Sequence, residues 1–297
     1  MAYTVGIISP GDMGSAIGER LAAHGARVIV ALDARSERTK SLAAAGLEDV
    51  GTVERMVTEA THILSVMVPA EAVGAAERVA GALHTTGATP IYADLNAISP
   101  ATTQRIGEIV EGAGARFVDG GIIGGPPRGG YNPRVYASGP LAAELAVLTE
   151  HGLNIPIVGD QIGQASGLKM CYAAMTKGVQ ALGTELLVTA RLLGLEDQLR
   201  AEMLDSQPVL RQWFAKSLLG MPPKAHRWVG EMEEIAATFE QVGLTPLMLQ
   251  GAAEMYRWVA TTPPGHETPE NRDPNRDLDA LIAALAETKK TKEPTAR

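Results

Sequence analysis

Six residues near the start of the chain, Ser9-Pro10-Gly11-Asp12-Met13-Gly14, have the make-up of a turn that brings backbone close to an anion. They follow the apolar run Val5-Gly6-Ile7-Ile8 and precede a stretch with helical periodicity, so they join the end of a strand to the start of a helix. Gly11 stands where a chain approaches a pyrophosphate closely, and Gly14 where a helix packs tightly on its strand. The helix N-terminus offers unbonded N–H groups and the positive end of its dipole to phosphate. In the usual Gly-x-Gly-x-x-Gly pattern the first glycine is replaced here by Ser9. A glycine motif alone is weak, but the strand before it and the helix after it agree, and together they imply a dinucleotide.

The end of the second strand bears on the choice of dinucleotide. Asp33 lies at the right distance to accept from a ribose 2′-hydroxyl. Arg35-Ser36, with Arg38 and Thr39 nearby, could instead hold a 2′-phosphate through charge-assisted bonds. That density of donors favours NADP over NAD, with Asp33 turned away. Read structurally, Ser36 caps the next helix and Arg35 is solvated.

Other chemistry-bearing residues are sparse. His226-Arg227-Trp228 precedes Glu231 and Glu234, which share one helix face with Arg227 a turn before. The group could read a polar or cationic substrate, or form a salt-bridged face with Trp228 in the core; the structural reading carries more weight. No His-x-x-x-His or clustered Cys/His spacing implies a metal site, and no Gly-x-Ser-x-Gly elbow implies a hydrolase. Cys171 is alone, which excludes an intramolecular disulfide and suits a reducing compartment. The net charge of −8 argues against a nucleic-acid partner, and the basic run Lys289-Lys290-Thr291-Lys292 reads as a solvated end. No apolar stretch is long enough to span a bilayer, and the first residues lack a basic leader. The expectation is a soluble cytoplasmic protein with a small-molecule substrate and neither a nucleic-acid nor a membrane partner.

The elements that position these residues follow from periodicity. Strands are expected at 3–8, 27–32, 62–68, 91–95, 116–119, 135–137 and 155–158, alternating with helices at 13–24, 36–45, 70–83, 100–112 and 141–150. This alternation is the signature of a parallel, doubly wound α/β sheet of Rossmann type. From residue 163 the pattern turns helical: one long helix to 194, then 196–219, 225–242 and 246–260, a loop over 261–275 and a short helix at 277–288. The expected division is a dinucleotide-binding domain at 1–161 and an all-α domain at 162–297.

In this order the segments resemble the β-hydroxyacid dehydrogenase superfamily, which includes 3-hydroxyisobutyrate and 6-phosphogluconate dehydrogenases. Pro10-Gly11-Asp12-Met13-Gly14 is similar to the family's Gly-Leu-Gly-x-Met-Gly. Val66-Met67-Val68-Pro69 looks like its strand ending in proline below the nicotinamide. Asp94-Leu95-Asn96-Ala97-Ile98-Ser99-Pro100 matches its Asp-x-Ser-Thr-x-x-Pro, with Asn96-Ala97 in place of Ser-Thr. Asp119-Gly120-Gly121-Ile122-Ile123-Gly124-Gly125 matches its Asp-Ala-Pro-Val-Ser-Gly-Gly substrate loop. Gly163-Gln164-Ala165 leading to Lys169 resembles the start of its long interdomain helix.

The resemblance implies a C-terminal domain of the 6-phosphogluconate dehydrogenase type that closes a cleft and pairs across a homodimer. It implies hydride transfer between a nicotinamide and a hydroxy or carbonyl substrate, with Lys169 as general acid/base. A lysine in a partly desolvated cleft has its pKa lowered enough for that work. Asn96 and Gly124-Gly125 would place the substrate. Lys177, two turns on, is the reserve candidate, read as structural or substrate-binding.

Several positions depart from the family. Its carboxylate-binding serine falls at Ile123, its asparagine one turn after the lysine at Ala173, and its Lys-Asp pair at Gly230-Glu231. A substrate less dependent on a carboxylate, bulkier or more apolar, is expected, with Asn96 or Tyr172 positioning its hydroxyl and Trp228 and Glu231 lining the site. Two alternatives remain open: an imine reductase-like enzyme, against which Lys169 counts, and a non-catalytic cofactor-binding module.

Overall fold

The computed structural model describes residues 3–33, 40, 46–268 and 271–290. The chain divides into two compact units, Met1–Tyr172 and Ala173–Arg297. In the first, the described strands are β1 (Thr4–Ile7), β2 (Arg27–Val30), β3 (Glu48–Asp49), β4 (His62–Ser65), β5 (Ile91–Asp94), β6 (Arg116–Ile123), β7 (Arg134–Ser138) and β8 (Ile157–Gly159). They form one sheet in the order β3-β2-β1-β4-β5-β6-β7-β8. β1 to β6 run parallel, β7 runs antiparallel to β6, and β8 runs parallel to β7.

Every residue of β1, β4 and β5 is buried, the mark of a parallel sheet covered on both faces. Alternate residues serve two cores. Val28, Val30 and Leu64 join Ile17 and Leu21 of α1 (Asp12–Ala23) and Leu145 of α5 (Ala142–Ala146) on one face. Ile29, Ile63, Tyr92 and Phe117 join Met56 of α2 (Val53–Glu59), Val79 and Leu83 of α3 (Pro69–Thr86) and Ile106 of α4 (Pro100–Gly112) on the other. The sheet is therefore doubly wound, as the sequence predicts. α4 spans the predicted residues, with Ser99 capping the Thr102 N–H and Pro100 in the first turn.

The structure also corrects the reading. β6 runs past Asp119 to Ile123, pairing Gly121 with Tyr136 and Ile123 with Arg134. β7 is antiparallel because the link between β6 and β7 is a hairpin, too short for a helical crossover. β3 and α2 are absent from the expectation; both are short, and α2 is announced chiefly by its Thr52 cap on the Arg55 N–H at 3.3 Å. The helix expected at 141–150 is α5 followed by a 3₁₀ turn, Val147–His151. The helix expected at 36–45 lies outside the described residues, apart from residue 40.

α6 (Gln164–Leu192) begins in the first unit. The described residues of the second unit that follow it form α7 (Glu196–Ser206), α8 (Pro208–Ser217), α9 (Ala225–Gln241), α10 (Leu247–Ala260) and α11 (Leu278–Lys290). The single helix expected over 196–219 breaks at Pro208, which has no N–H to continue the ladder and starts a new helix instead. α9 and α10 bury Met232, Ile235, Ala253, Tyr256 and Val259. Among the described residues no helix is long and apolar enough to cross a membrane.

Candidate active site

β1 ends at Ile7 and α1 starts at Asp12, so Ser9, Pro10 and Gly11 form the turn between them. A methyl group on Gly14 would stand 2.5 Å from the Ser9 carbonyl oxygen and 3.2 Å from Ile7 Cγ2. Glycine there lets α1 lie against the strand. A methyl group on Gly11 would meet nothing within 4 Å. Gly11 is the N-cap residue, with no side chain bonding the first N–H groups of the helix. An open backbone, free helix N–H groups and a positive dipole end are what a pyrophosphate requires, so these residues fit a dinucleotide. Ser15 Oγ donates to the Pro10 carbonyl at 2.7 Å and fixes the turn from within. Asp12 pairs with Arg128 at 2.7 Å, and Met13 is partly buried against the core.

Asp33 follows β2 and is exposed, its N–H donating to the Gly51 carbonyl at 3.3 Å. Arg35, Ser36, Arg38 and Thr39 lie outside the described residues.

At the end of β4, Val68 is 44% exposed and Pro69 opens α3. This bend is tied to the next strand by Asn96. The Asn96 Oδ1 accepts from the Met67 N–H at 2.6 Å, and its Nδ2 donates to Ser65 Oγ and Asp94 Oδ2, both at 2.8 Å. Asn96 is only 2% exposed, so its amide is spent inside the protein. The sequence reading gave it a substrate contact; the geometry makes it the clip that holds the Val66–Pro69 bend. Burial pushes the Asp94 carboxyl up to about 7, opposed by its hydrogen bonds from Asn96.

Asp119 is fully buried on β6, and its carboxylate caps the start of α6. Oδ2 accepts from the N–H groups of Gly163 at 2.8 Å, Ala165 at 3.0 Å and Ser166 at 3.2 Å, and from Ser138 Oγ at 2.7 Å. Oδ1 accepts from Ser166 Oγ, which also meets Thr103 Oγ1 at 2.7 Å. An anion at a helix N-terminus is favourable, and every donor here is buried. The signal in the sequence was an acidic residue ending an apolar run.

Lys169 sits one turn further along α6, half-buried, and its Nζ donates to the Ile122 carbonyl oxygen. A methyl group on Gly121 would stand 3.0 Å from Lys169 Cβ and 2.9 Å from the Ala165 carbonyl oxygen. Glycine at 121 thus lets α6 approach β6 closely enough for the lysine to reach that strand's end. Ile123 is half-buried, while Gly124 and Gly125 are exposed. Gly124 has φ +134°, which favours glycine, and Tyr131 Oη and Pro133 occupy the place of a side chain. Tyr172 is 45% exposed.

The second unit gathers a separate cluster. Lys177 pairs with Glu231 at 2.8 Å, both largely buried, and its Nζ lies 5.4 Å from the Trp228 ring centroid. Trp228 meets Tyr256 edge-on at 5.3 Å, and the Tyr256 hydroxyl donates to the Lys177 carbonyl at 2.7 Å. Glu231 therefore pairs with a lysine on α6, whereas the sequence reading placed Arg227 beside it. Among the described residues no group of three or more His, Cys, Asp or Glu could hold a metal.

Over residues 4–143 the chain matches the NAD binding domain of 6-phosphogluconate dehydrogenase. Over residues 190–259 it matches a domain of unknown function, DUF1932. A solved conserved protein of unknown function, described as structurally similar to 3-hydroxyacid dehydrogenases, is 30% identical, with TM-score 0.68 across 86% of this chain and 96% of that one. A conserved hypothetical protein from Sinorhizobium meliloti 1021 is 26% identical, with TM-score 0.71 across 97% of each chain. The mitochondrial 3-hydroxyisobutyrate dehydrogenase of Homo sapiens is 27% identical over 209 residues, 68% of this chain and 61% of that protein. By these matches the chain belongs to the β-hydroxyacid dehydrogenase superfamily.

Proposed function

We propose that this protein is an NAD(P)-dependent oxidoreductase that interconverts a hydroxy compound and its carbonyl, with Lys169 as the proton donor and acceptor. The observation that carries the reading is the row of features along one sheet edge. β1, β4, β5 and β6 are neighbours, and their C-terminal ends bear the glycine turn, the Val66–Pro69 bend, the Asn96 clip and the carbonyl that holds Lys169. Three strand spacings separate the turn from that carbonyl, about 14 Å, which suits the half of a dinucleotide between pyrophosphate and nicotinamide. Ligands of open α/β sheets bind at this edge.

When bound, the nicotinamide supplies or takes the hydride at C4. The protein's part is to hold the carbinol carbon beside it and to manage the hydroxyl proton. Lys169 Nζ takes that proton as the alcohol loses its hydride and returns it in the reverse direction. The Ile122 carbonyl orients the amine, and Asp119 fixes the helix that carries it. The exposed amides of Gly124 and Gly125 offer the substrate hydrogen-bond donors, and the exposed Val68 offers the ring an apolar surface. Ile123 supplies no hydroxyl, which supports a substrate bulkier or more apolar than a simple 3-hydroxy acid.

The Arg35-Ser36 pair supports NADP over NAD. Leu182, Leu193 and Leu195, exposed at 61%, 67% and 49%, support a homodimer formed through the helical unit. Absorbance at 340 nm with NADPH or NADH and a panel of aldehydes, keto acids and cyclic imines tests the reading. Oxidation of cofactor with a carbonyl substrate is expected. Turnover of imines alone would assign an imine reductase, and tight cofactor binding without any turnover a binding module.

A further inference from the structure

Between β6 and β7 the chain turns at Arg128-Gly129-Gly130-Tyr131. Gly129 and Gly130 have φ of +57° and +86°, and the Tyr131 N–H donates to the Arg128 carbonyl at 3.0 Å. Two successive positive φ values make this a type I′ hairpin turn, which glycines allow without strain. The base of the hairpin is held firmly. Tyr131 and Pro133 pack at Gly124, and Asn132 Nδ2 donates to the Gly152 carbonyl at 3.0 Å. The tip is held differently: Arg128 reaches the first turn of α1 and pairs with Asp12 at 2.7 Å, with both side chains more than half exposed.

The turn Ser9–Gly14 contains no cation, and its one formal charge is the negative Asp12. Arg128 brings a guanidinium to the side chain of Asp12, the residue next to Gly11, whose Cα faces open space. An exposed ion pair in water contributes little by itself, so the contact does not account for the arginine as a stabilising device. A guanidinium has five N–H donors in a planar fork suited to phosphate oxygens.

We propose that Arg128 is a pyrophosphate ligand carried on the tip of the β6–β7 hairpin, oriented by Asp12, so that cofactor binding fixes the hairpin that presents Gly124 and Gly125. The inference rests on the dinucleotide reading of the glycine turn. Its consequence is order: the cofactor binds first and sets the substrate loop.

The test uses the whole chain of 297 residues, NADPH and NADH as probes, fluorescence titration and hydrogen exchange. Arg128→Ala is expected to weaken binding about tenfold, with Arg128→Lys intermediate and the melting temperature unchanged. In the wild type, NADPH is expected to protect the amides of 124–134; in Arg128→Ala it does not. The double variant Asp12→Asn/Arg128→Ala is expected to stay weak. Its recovery to wild-type affinity would reduce Arg128 to a neutraliser of Asp12 and overturn the proposal. Binding by Arg128→Ala within twofold of wild type would overturn it as well. A wild type that binds neither cofactor would instead overturn the dinucleotide reading, and this inference with it.

Discussion

The carboxylate of Asp119, on β6, accepts from the hydroxyl of Ser166 in the first turn of the helix that carries Lys169. The same carboxylate receives three backbone N–H groups of that turn. The position of the lysine is thus set from the sheet, through a helix cap, before any substrate arrives.

Removing this cap leaves several donors buried without a partner. Asp119→Ala is expected to destabilise the protein by on the order of 3 kcal/mol, read from denaturant or thermal unfolding. A loss below about 1 kcal/mol would contradict the role given to the carboxylate.

The two glycines of the Ser9–Gly14 turn are expected to differ in what they control. Gly11 has extended backbone, φ −72° and ψ −166°, and open space at its Cα. Gly11→Ala is expected to keep its stability within about 0.5 kcal/mol while losing affinity for NADPH and NADH. Gly14→Ala drives a methyl group into the Ser9 carbonyl, so stability falls by about 1–3 kcal/mol and affinity falls with it. Equal behaviour of the two variants in both assays would contradict the geometry.

Two buried groups give opposite pH dependences. Burial raises the Asp94 carboxyl from 3.8 to about 7, so its contribution is full below its unfolded value and is lost as pH rises through 7. Burial, with Arg116 adding, lowers the His62 imidazole from 6.5 to about 4, so its contribution is present above 6.5 and is lost as pH falls towards 4. In thermal melts, Asp94→Asn should flatten the decline between about pH 4 and 7, and His62→Asn the decline between pH 6.5 and 4. Profiles parallel to wild type would contradict the assignments.

Much of the fold is legible in the sequence because buried parallel strands and capped helices write strong local patterns. Val5 to Ile7 and Ile63 to Leu64 read as strands, and Ser99-Pro100 marks a helix start. The reversal of β7 was not legible, since strand direction depends on the link, and a Gly/Pro-rich loop does not announce a hairpin. At the glycine turn, Gly14 was readable because the close approach of α1 to the Ser9 carbonyl leaves no room for a side chain, whereas nothing around Gly11 in the fold demands a glycine. Asn96 was misjudged because an amide facing inward and one facing substrate look the same in a sequence. The Asp12–Arg128 pair and the Asp119 cap join residues more than forty positions apart, and no local pattern carries them. Lys169 could be singled out through resemblance, since nothing local sets it apart from an ordinary helix lysine except its small and apolar neighbours.

The central claim is that Lys169 moves the proton while the glycine turn binds the cofactor. The direct measurement compares Lys169→Met with wild type in two assays: NADPH titration by fluorescence, and cofactor oxidation at 340 nm with a carbonyl substrate turned over by the wild type. Affinity for NADPH within about twofold of wild type and turnover lower by at least about a hundredfold are expected. Near-full turnover by Lys169→Met, with cofactor binding intact, would contradict it.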